Sequence, residues 1–480
     1  MTPEASHTRW AAARAALRAP RDLAALVAFR VALGAIVLVS ALRFLANGHG
    51  WIDEMFVRPR LHFSYWGFGW LPRPSPAATS TLFVALGLLG LLVAVGLFYR
   101  VAAALLFVVF TYLQLVDVTN YLNHYYLVSV LAGLMVFIPA HRAFSVDARL
   151  RPALRAEHAP AWCTWLLRAQ IALVYFNAGL AKATADWLLH AQPLNLWLSA
   201  RADAPVVGPF LALPAVAYAA AWAGFLFDTT IPLWLSWRRA RPFAYAAVLA
   251  FHLGTHLLFP AIGMFPVIMI VAALVFFEPG WPRELAARVR RVLRRPPLTR
   301  TVRPGSGETG HDLGRLGVVL AGLFLLLQIA TPLRANLYGG LVSWHEQGMR
   351  FSWRVMTRAK HGSLTYVVRE PASGRQWHVS PGKYLTVAQE REMSVQPDLI
   401  LQLAHHVARD FAAQGHPSVA VHADAWVSLN GRAAAPLIDP RVDLARESDG
   451  LAPKPWILPA PTEAPPLLRP TPVTHAWNHL

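Results

Sequence analysis

Charged residues are scarce in this sequence. Asp, Glu, Lys and Arg make up only 15% of the 480 residues, whereas hydrophobic residues make up 55%. A soluble domain carries about 25% charged residues. The composition therefore excludes an ordinary soluble protein and indicates an integral membrane protein.

Acidic residues and cysteine are scarcer still. Lys and Arg number 44 against 26 Asp and Glu, which gives a net charge of +18. Residues 1–332 hold 29 of the basic and 14 of the acidic residues, mostly in short loops between apolar runs. This is the positive-inside bias of a membrane protein, so we expect no nucleic acid partner. Because Cys163 is the only cysteine, an intrachain disulfide and a cysteine metal cluster are excluded, and we expect no metal.

Nine apolar runs approach the length of about 20 residues that spans a bilayer. The seventh and eighth are short and are joined by residues 259–262, so they form two spans or one broken helix. The predicted fold is a mainly α polytopic membrane helix bundle of about nine transmembrane helices. The runs lie at 23–45, 78–98, 101–118, 124–140, 162–181, 207–236, 242–258, 263–277 and 313–332.

Arginine-rich loops predict the orientation of the bundle. With nine spans, all of them fall on the cytoplasmic side, whereas eight spans would divide them. They are the N-terminus (residues 1–22), Arg100, the loop 141–161, residues 238–241 and the stretch 283–303. The remaining loops, at 47–77, 119–123, 182–206 and 259–262, then face outward together with the C-terminal part.

The C-terminal part is more polar and has a different pattern. Residues 333–450 predict a small extracytoplasmic α+β domain, with strands at 349–358, 363–370 and 418–429, a turn at 371–374 and a helix near 396–414. Residues 451–480 contain eight prolines, which predict an extended tail.

Lys182 closes the fifth apolar run at the predicted outer face. A lysine that is partly removed from water there would have its pKa lowered, and its neutral amine could act as a base. The alternatives are a lysine that extends to the headgroups, or an ion pair with Asp186 four residues on.

Other polar residues lie at the ends of the runs or within them. Asn123, His124 and Tyr125 supply donors and acceptors suited to a carboxylate or a quinone oxygen, or they belong to an interfacial aromatic belt. His252 and His256 share a helix face, but Leu253 replaces the glutamate of a zinc protease motif. A further alternative is buried pairing among polar residues of spans five and six, namely Arg168, Gln170 and Asp228.

These motifs, read in order, resemble the vitamin K-dependent γ-glutamyl carboxylase family, including its bacterial members with a horizontally transferred transmembrane (HTTM) domain. The resemblance runs from about residue 24 to 445. It rests on residues 96–100, 123–127, 144–147, 175–187, 251–252, 262–266, 278–283, 351–356, 425–430 and 438–443.

The resemblance implies the function, the cofactors and the partners. A lysine deprotonates reduced vitamin K, a hydroquinone of the menaquinol or phylloquinol type. Oxygen then adds, and a strongly basic oxygenated species removes the γ-proton of a peptide glutamate. CO2 captures the carbanion, and the quinone leaves as its 2,3-epoxide. The expected setting is the lipid bilayer of a bacterial inner membrane, with O2 and CO2 as co-substrates and a Glu-containing peptide as partner.

The resemblance also assigns residues. Lys182 matches the base and His124 a histidine of the carboxylation half. The predicted quinone and substrate contacts are Asn123, Tyr125, Arg168, Asn177, Asp186, Trp187, His252, His256 and Met264.

Three departures from the animal enzymes leave the protein substrate open. Ala181 replaces the first of two adjacent lysines, the long C-terminal extension is lacking, and a bridging cysteine pair is excluded. Two other functions therefore remain open: a quinol epoxidase or oxidoreductase without carboxylation, and a non-enzymatic carrier or binding protein for an isoprenoid lipid.

Overall fold

The computed structural model describes residues 12–47, 49–295 and 314–467. Parts of three predictions lie outside this range: the first half of the N-terminus, the basic stretch beyond Arg295 and the end of the proline-rich tail.

Each of the nine apolar runs contains a helix. Among the described residues, four helices are long and apolar enough to cross a membrane, or five if the bent pair Phe265–Phe276 and Trp281–Val292 forms one span. The mainly helical membrane fold is confirmed, and the nine-span count stays a prediction. The helices are α1 (Ala24–Ala46), α2 (Pro76–Val95), α3 (Tyr99–Leu115), α4 (Asn123–Phe137), α5 (Ala161–Leu180), α6 (Pro214–Ser236), α7 (Arg241–Leu258), α8 (Phe265–Ala273), α9 (Trp281–Val292) and α10 (Gly314–Leu333).

Shorter helical turns connect these elements. They lie at His49–Ile52, Asp53–Val57, Val118–Asn120, Val146–Leu150, Pro152–Leu154, Ala185–Leu188, Leu194–Ser199, Gly208–Leu211, Pro260–Ile262, Leu274–Phe276, Arg334–Tyr338, Val342–His345 and Pro381–Lys383.

The helices α7 and α8 run antiparallel. The ring of Tyr245, early in α7, lies 5.0 Å from that of Phe277, beyond the end of α8. The ring of His252, later in α7, lies 6.0 Å from that of Phe265, at the start of α8. The pair is therefore a helical hairpin, and the alternative of one broken helix is wrong.

The arginine-rich segments meet at one end of the bundle. Arg168 donates to the carbonyl oxygens of Val275 and Phe277, both at 2.9 Å. Arg241 lies 3.0 Å from the carboxylate of Glu278. A short strand β1 (Pro20–Asp22) pairs with β2 (His158–Pro160) at the same end. These contacts agree with the predicted clustering of the basic loops, and the side of the membrane stays a prediction.

The C-terminal part is an α+β domain, as predicted. Its antiparallel sheet has the order β4-β3-β5-β6, and two helices accompany it. In chain order the elements are β3 (Lys360–Arg369), β4 (Gln376–Val379), α11 (Val387–Met393), α12 (Pro397–Ala413), β5 (Ala420–Leu429) and β6 (Ala435–Pro436). Alternate residues of β3 and β5 join the buried residues of α12 in one apolar core.

The predicted strand at 349–358 is wrong. This segment forms turns, and Phe351, Trp353 and Met356 have positive φ angles of 62°, 57° and 53°. A strand needs negative φ angles throughout. The segment instead crosses the end of the helix bundle, where the ring of Trp353 stacks on that of Tyr126 at 4.7 Å.

The C-terminal domain docks on the end of the bundle opposite to the arginine-rich segments. Gln402 exchanges hydrogen bonds with the backbone of Ser64, and Gln389 donates to the buried carboxylate of Asp117 at 2.9 Å. Farther along, Gln192 donates to the carbonyl oxygen of Pro466 at 2.9 Å. Loops predicted to face outward therefore meet the C-terminal domain.

Candidate functional site

Lys182 lies just beyond the end of α5 and turns inward. Its side chain is buried, and Nζ lies 2.7 Å from Oδ2 of Asp228 in α6. Nζ also donates to the carbonyl oxygen of Ala178 at 3.1 Å. The partner of Lys182 is thus Asp228, and the alternative of an ion pair with Asp186 is wrong.

Close packing of α5 against α6 positions this pair. A Cβ on Gly179 would lie 2.5 Å from Cγ2 of Thr229 and 2.8 Å from its backbone nitrogen. Real Cβ atoms do not approach other atoms so closely, so only glycine permits this helix separation. Gly179 lies in the last turn of α5, shortly before Lys182, and Thr229 directly follows Asp228.

Trp187 covers the ammonium group of Lys182. A new helical turn begins at Ala185, where the hydroxyl of Thr184 accepts a hydrogen bond from the backbone N–H of Trp187 at 3.3 Å. The indole donates to the carbonyl oxygen of Ala221 at 2.7 Å, and its ring centroid lies 5.3 Å from Nζ. This distance allows a cation–π interaction, which strengthens in the absence of water.

The pair lines an apolar cavity of about 300 Å³. Tyr175 and His252 also belong to the lining, and the hydroxyl of Tyr175 lies 2.9 Å from Nε2 of His252. A small cavity with apolar walls and a few convergent polar groups is typical of a site for a small organic ligand. Its apolar lining includes Val174, Leu194, Leu198, Phe251, Leu258, Phe259, Ile262, Phe265 and Met269.

The C-terminal part supplies the roof of the cavity. Val355 and Met356, from the turn-rich segment described above, belong to its lining. The neighbouring Arg354 accepts a hydrogen bond on its carbonyl oxygen from the side chain of Asn123 at 3.4 Å. The segment therefore links the cavity to the start of α4.

His124 lies outside the cavity wall. It is buried, and its ring centroid is 6.2 Å from that of Phe265, which itself lines the cavity. Tyr125 lies against His124 at 4.6 Å and faces a smaller space on the far side. The structure thus separates His124 from the Lys182 cavity by one aromatic ring.

Two predicted contacts, Asp186 and Arg168, have structural partners away from the cavity. Asp186 forms a bidentate ion pair with Arg432 at 2.6 and 2.7 Å and accepts a hydrogen bond from Asn430 at 2.7 Å. Burial would raise the pKa of Asp186, but these hydrogen bonds and the Arg432 charge hold it below its ordinary value. Arg168 binds the carbonyl groups that end the α8 segment.

Three other predicted contacts are also absent from the lining. Asn177 donates to the carbonyl oxygen of Leu173 in its own helix at 2.8 Å. Met264 is half-buried against the bundle core, and His256 is exposed. Of the predicted residues, the cavity brings together Lys182, Trp187 and His252.

Two family models match the chain over the two regions just described. The model of the HTTM domain matches residues 18–281, which is more than half of the chain, and that of the vitamin K-dependent gamma-carboxylase lumenal domain matches residues 314–463. The chain belongs to the vitamin K-dependent γ-carboxylase family. No solved structure matches it.

This carboxylase-family chain has a second, larger cavity elsewhere. It measures about 1030 Å³ and lies among α3, α4, α5 and α10, with Phe351 at its border. None of the predicted site residues lines it. Its lining does not include Lys182 or Asp228.

The site predicted from the sequence did not include three residues that line the cavity, namely Asp228, Tyr175 and Met356. The sequence shows Asp228 as an acidic residue within an apolar run. Burying a carboxylate at that position is costly, so its presence there indicates a function. Tyr175 stands in the same motif as Lys182, and Met356 in the motif 351–356. Among the described residues, no cluster of three or more His, Cys, Asp or Glu side chains is arranged to hold a metal ion.

Proposed function

We propose that this protein is a vitamin K-dependent γ-glutamyl carboxylase-like enzyme whose reaction begins in the Lys182 cavity. The carrying observation is a buried lysine paired with a buried aspartate in an apolar cavity. The overall reaction would remove the γ-proton of a peptide glutamate and form a new carbon–carbon bond to CO2. Reduced vitamin K would supply the reducing equivalents and the strong base when bound.

The Lys182–Asp228 pair would provide the first proton acceptor. In an apolar cavity two buried charges are costly, so transfer of the Nζ proton to Oδ2 gives a neutral amine and a neutral acid that compete with the ion pair. The amine of Lys182 would then accept one hydroquinone proton at Nζ, while Asp228 keeps the proton that it received from Nζ. Trp187 and the roof keep water away from both groups.

The cavity fits a flat aromatic ring bearing two oxygens. Its walls carry aromatic side chains for ring stacking, and its lining contains two polar pairs, Lys182 with Asp228 and Tyr175 with His252. We propose that Tyr175 and His252 orient one ring oxygen while Lys182 faces the other. Trp187 and Phe251 would contact the ring itself.

His124 would serve the carboxylation half from the other side of Phe265. It is buried next to Asn123, whose side chain is fixed by the hydroxyl of Tyr121 at 3.1 Å and the carbonyl of Arg354. A site for the glutamate and CO2 at this position would adjoin the cavity without sharing its proton acceptor. Asn123 would act there as a positioning residue.

The test uses the full chain in lipid nanodiscs with reduced vitamin K, oxygen, labelled bicarbonate and a short glutamyl peptide. We expect epoxide and label incorporation from the wild type and neither from Lys182→Ala. Lys383→Ala, which removes an exposed lysine of the C-terminal domain, is the matched control and should retain both. Unchanged epoxide formation in Lys182→Ala would refute the assignment.

The same assay separates the other functions. A quinol epoxidase would form epoxide without incorporating label, and His124→Ala would leave it unchanged. A lipid carrier would copurify with quinone and convert none of it. For the carboxylase we expect His124→Ala to lose label incorporation while it retains measurable epoxide formation.

A further inference from the structure

The helix α9 differs from every membrane-spanning helix described above in its direction and composition. It follows α8 after a bend of 98°, so it lies across the end of the bundle instead of continuing through it. Its first turn is attached to the start of α1, because Arg283 pairs with Asp22 at 2.9 Å and Ala25 donates to the carbonyl oxygen of Pro279. This end of the bundle is the arginine-rich one.

One side of α9 is apolar. At 3.6 residues per turn, Trp281, Leu285, Val289 and Val292 share a side of the helix. Leu285, Val289 and Val292 are exposed by 52%, 48% and 82%. Exposure of this side to water would be unfavourable, and large exposed apolar patches are rare on the surfaces of soluble proteins.

The remaining side and the following residues are basic. Arg291 lies on the remaining side, Arg288 borders the apolar side, and Arg294 and Arg295 follow the end of the helix. All four are exposed, and Glu284 is the only acidic residue between Trp281 and Arg295. An exposed apolar side combined with a basic side is typical of a helix that lies in the membrane interface. The positive charge complements anionic headgroups.

We propose that α9 is an interfacial helix that binds anionic lipid headgroups at the arginine-rich end of the protein. Its apolar side enters the boundary between headgroups and acyl chains, and its arginines contact lipid phosphates at that depth. The attachment of α9 to α1 and α8 couples this lipid contact to both helices. The inference is independent of the reaction proposed for the Lys182 cavity.

The first experiment measures the depth of α9. A polarity-sensitive fluorophore is attached at Val289→Cys or at Ala287→Cys, on the apolar and the opposite side, in full-length protein with Cys163→Ser. In nanodiscs of phosphatidylcholine and phosphatidylglycerol, we expect the label at 289 to be blue-shifted and protected from iodide, and the label at 287 to be quenched. Equal quenching at both positions overturns the proposal.

The second experiment measures lipid selectivity. Spin-labelled phosphatidylglycerol and phosphatidylcholine are compared on the wild type and on the triple variant Arg288→Gln, Arg291→Gln, Arg294→Gln. We expect the preference for phosphatidylglycerol to fall by up to about fivefold for each arginine removed. The triple lysine variant at the same positions should keep most of the preference, which separates charge loss from misfolding.

The matched control removes three exposed arginines from the C-terminal domain instead, at positions 369, 375 and 409. This variant has the same change in net charge, and we expect it to retain the wild-type preference. Equal preference in the wild type and the triple glutamine variant of α9 overturns the proposal, as does an equal loss in the control.

Discussion

The buried Lys182–Asp228 pair can be tested by its effect on stability. The two charged groups lie 2.7 Å apart, with side chains only 6% and 7% exposed. At an effective dielectric constant of about 20, this separation gives an attraction of about 6 kcal/mol. Removing both groups from water costs several kcal/mol for each ion, so the attraction mostly offsets a penalty.

The consequence is an asymmetry between single and double substitutions. Asp228→Asn or Lys182→Met leaves one buried charge without its partner, which costs about 3–5 kcal/mol. The double substitution Lys182→Met with Asp228→Leu removes both penalties and should be neutral or stabilising, by about 1–4 kcal/mol. The exposed pair of Lys383 and Asp410 gives the matched control, because breaking it costs less than about 1 kcal/mol.

Thermal unfolding of the full chain in nanodiscs, followed by tryptophan fluorescence, measures these differences. We expect both single variants to unfold well below the wild type, and the double variant to unfold close to it. If the two single effects simply add in the double variant, the groups do not interact and the proton transfer proposed for them has no basis.

Three further predictions concern packing, docking and pH. Gly179→Ala should push α5 away from α6, because the added Cβ would lie 2.5 Å from Thr229. We expect the free energy of unfolding to fall by about 1–3 kcal/mol and the quinol turnover to decrease. Wild-type stability together with wild-type turnover would contradict this prediction. Arg432→Gln leaves Asp186 buried without its cation, so limited proteolysis should cleave the C-terminal domain faster, with Arg441→Gln, an exposed arginine, as control. Burial lowers the pKa of Lys360 from 10.5 to about 8, so the unfolded chain binds a proton in this interval that the folded chain does not. The free energy of unfolding should therefore fall by about 3 kcal/mol as the pH drops from 10.5 to 8. Lys360→Met should abolish this part of the pH dependence, and the same pH profile in the wild type and the variant would contradict the prediction.

The elements that the sequence predicts well are those set by local patterns. Apolar runs and arginine-rich loops give the helices and the end of the bundle at which the loops meet. The C-terminal helix, expected near 396–414, is Pro397–Ala413, and the strand expected at 418–429 is Ala420–Leu429. In both elements the apolar residues recur with the helix or strand period along one continuous stretch, and the side that this period marks as apolar is buried.

The site depends on contacts between residues that are distant in the sequence, and such contacts are harder to predict from local patterns. Lys182 and Asp228 are 46 residues apart, and the roof residue Met356 comes from the other domain. The segment 349–358 alternates like a strand, but its aromatic residues pack on α4 and turn the backbone to positive φ. Tertiary packing overrides the local pattern there.

The position of Lys182 at a helix end explains why spacing indicates the wrong partner. Residues four apart face each other only within one continuous helix, and α5 ends at Leu180, while a new turn starts at Ala185. The break sends Lys182 inward to Asp228 and leaves Asp186 facing Arg432 of the C-terminal domain. One carboxylate therefore holds the candidate base, and the other holds the domain that roofs the cavity. The turn at residues 182–186 therefore contributes both to the cavity, through Lys182, and to the contact with the C-terminal domain, through Asp186.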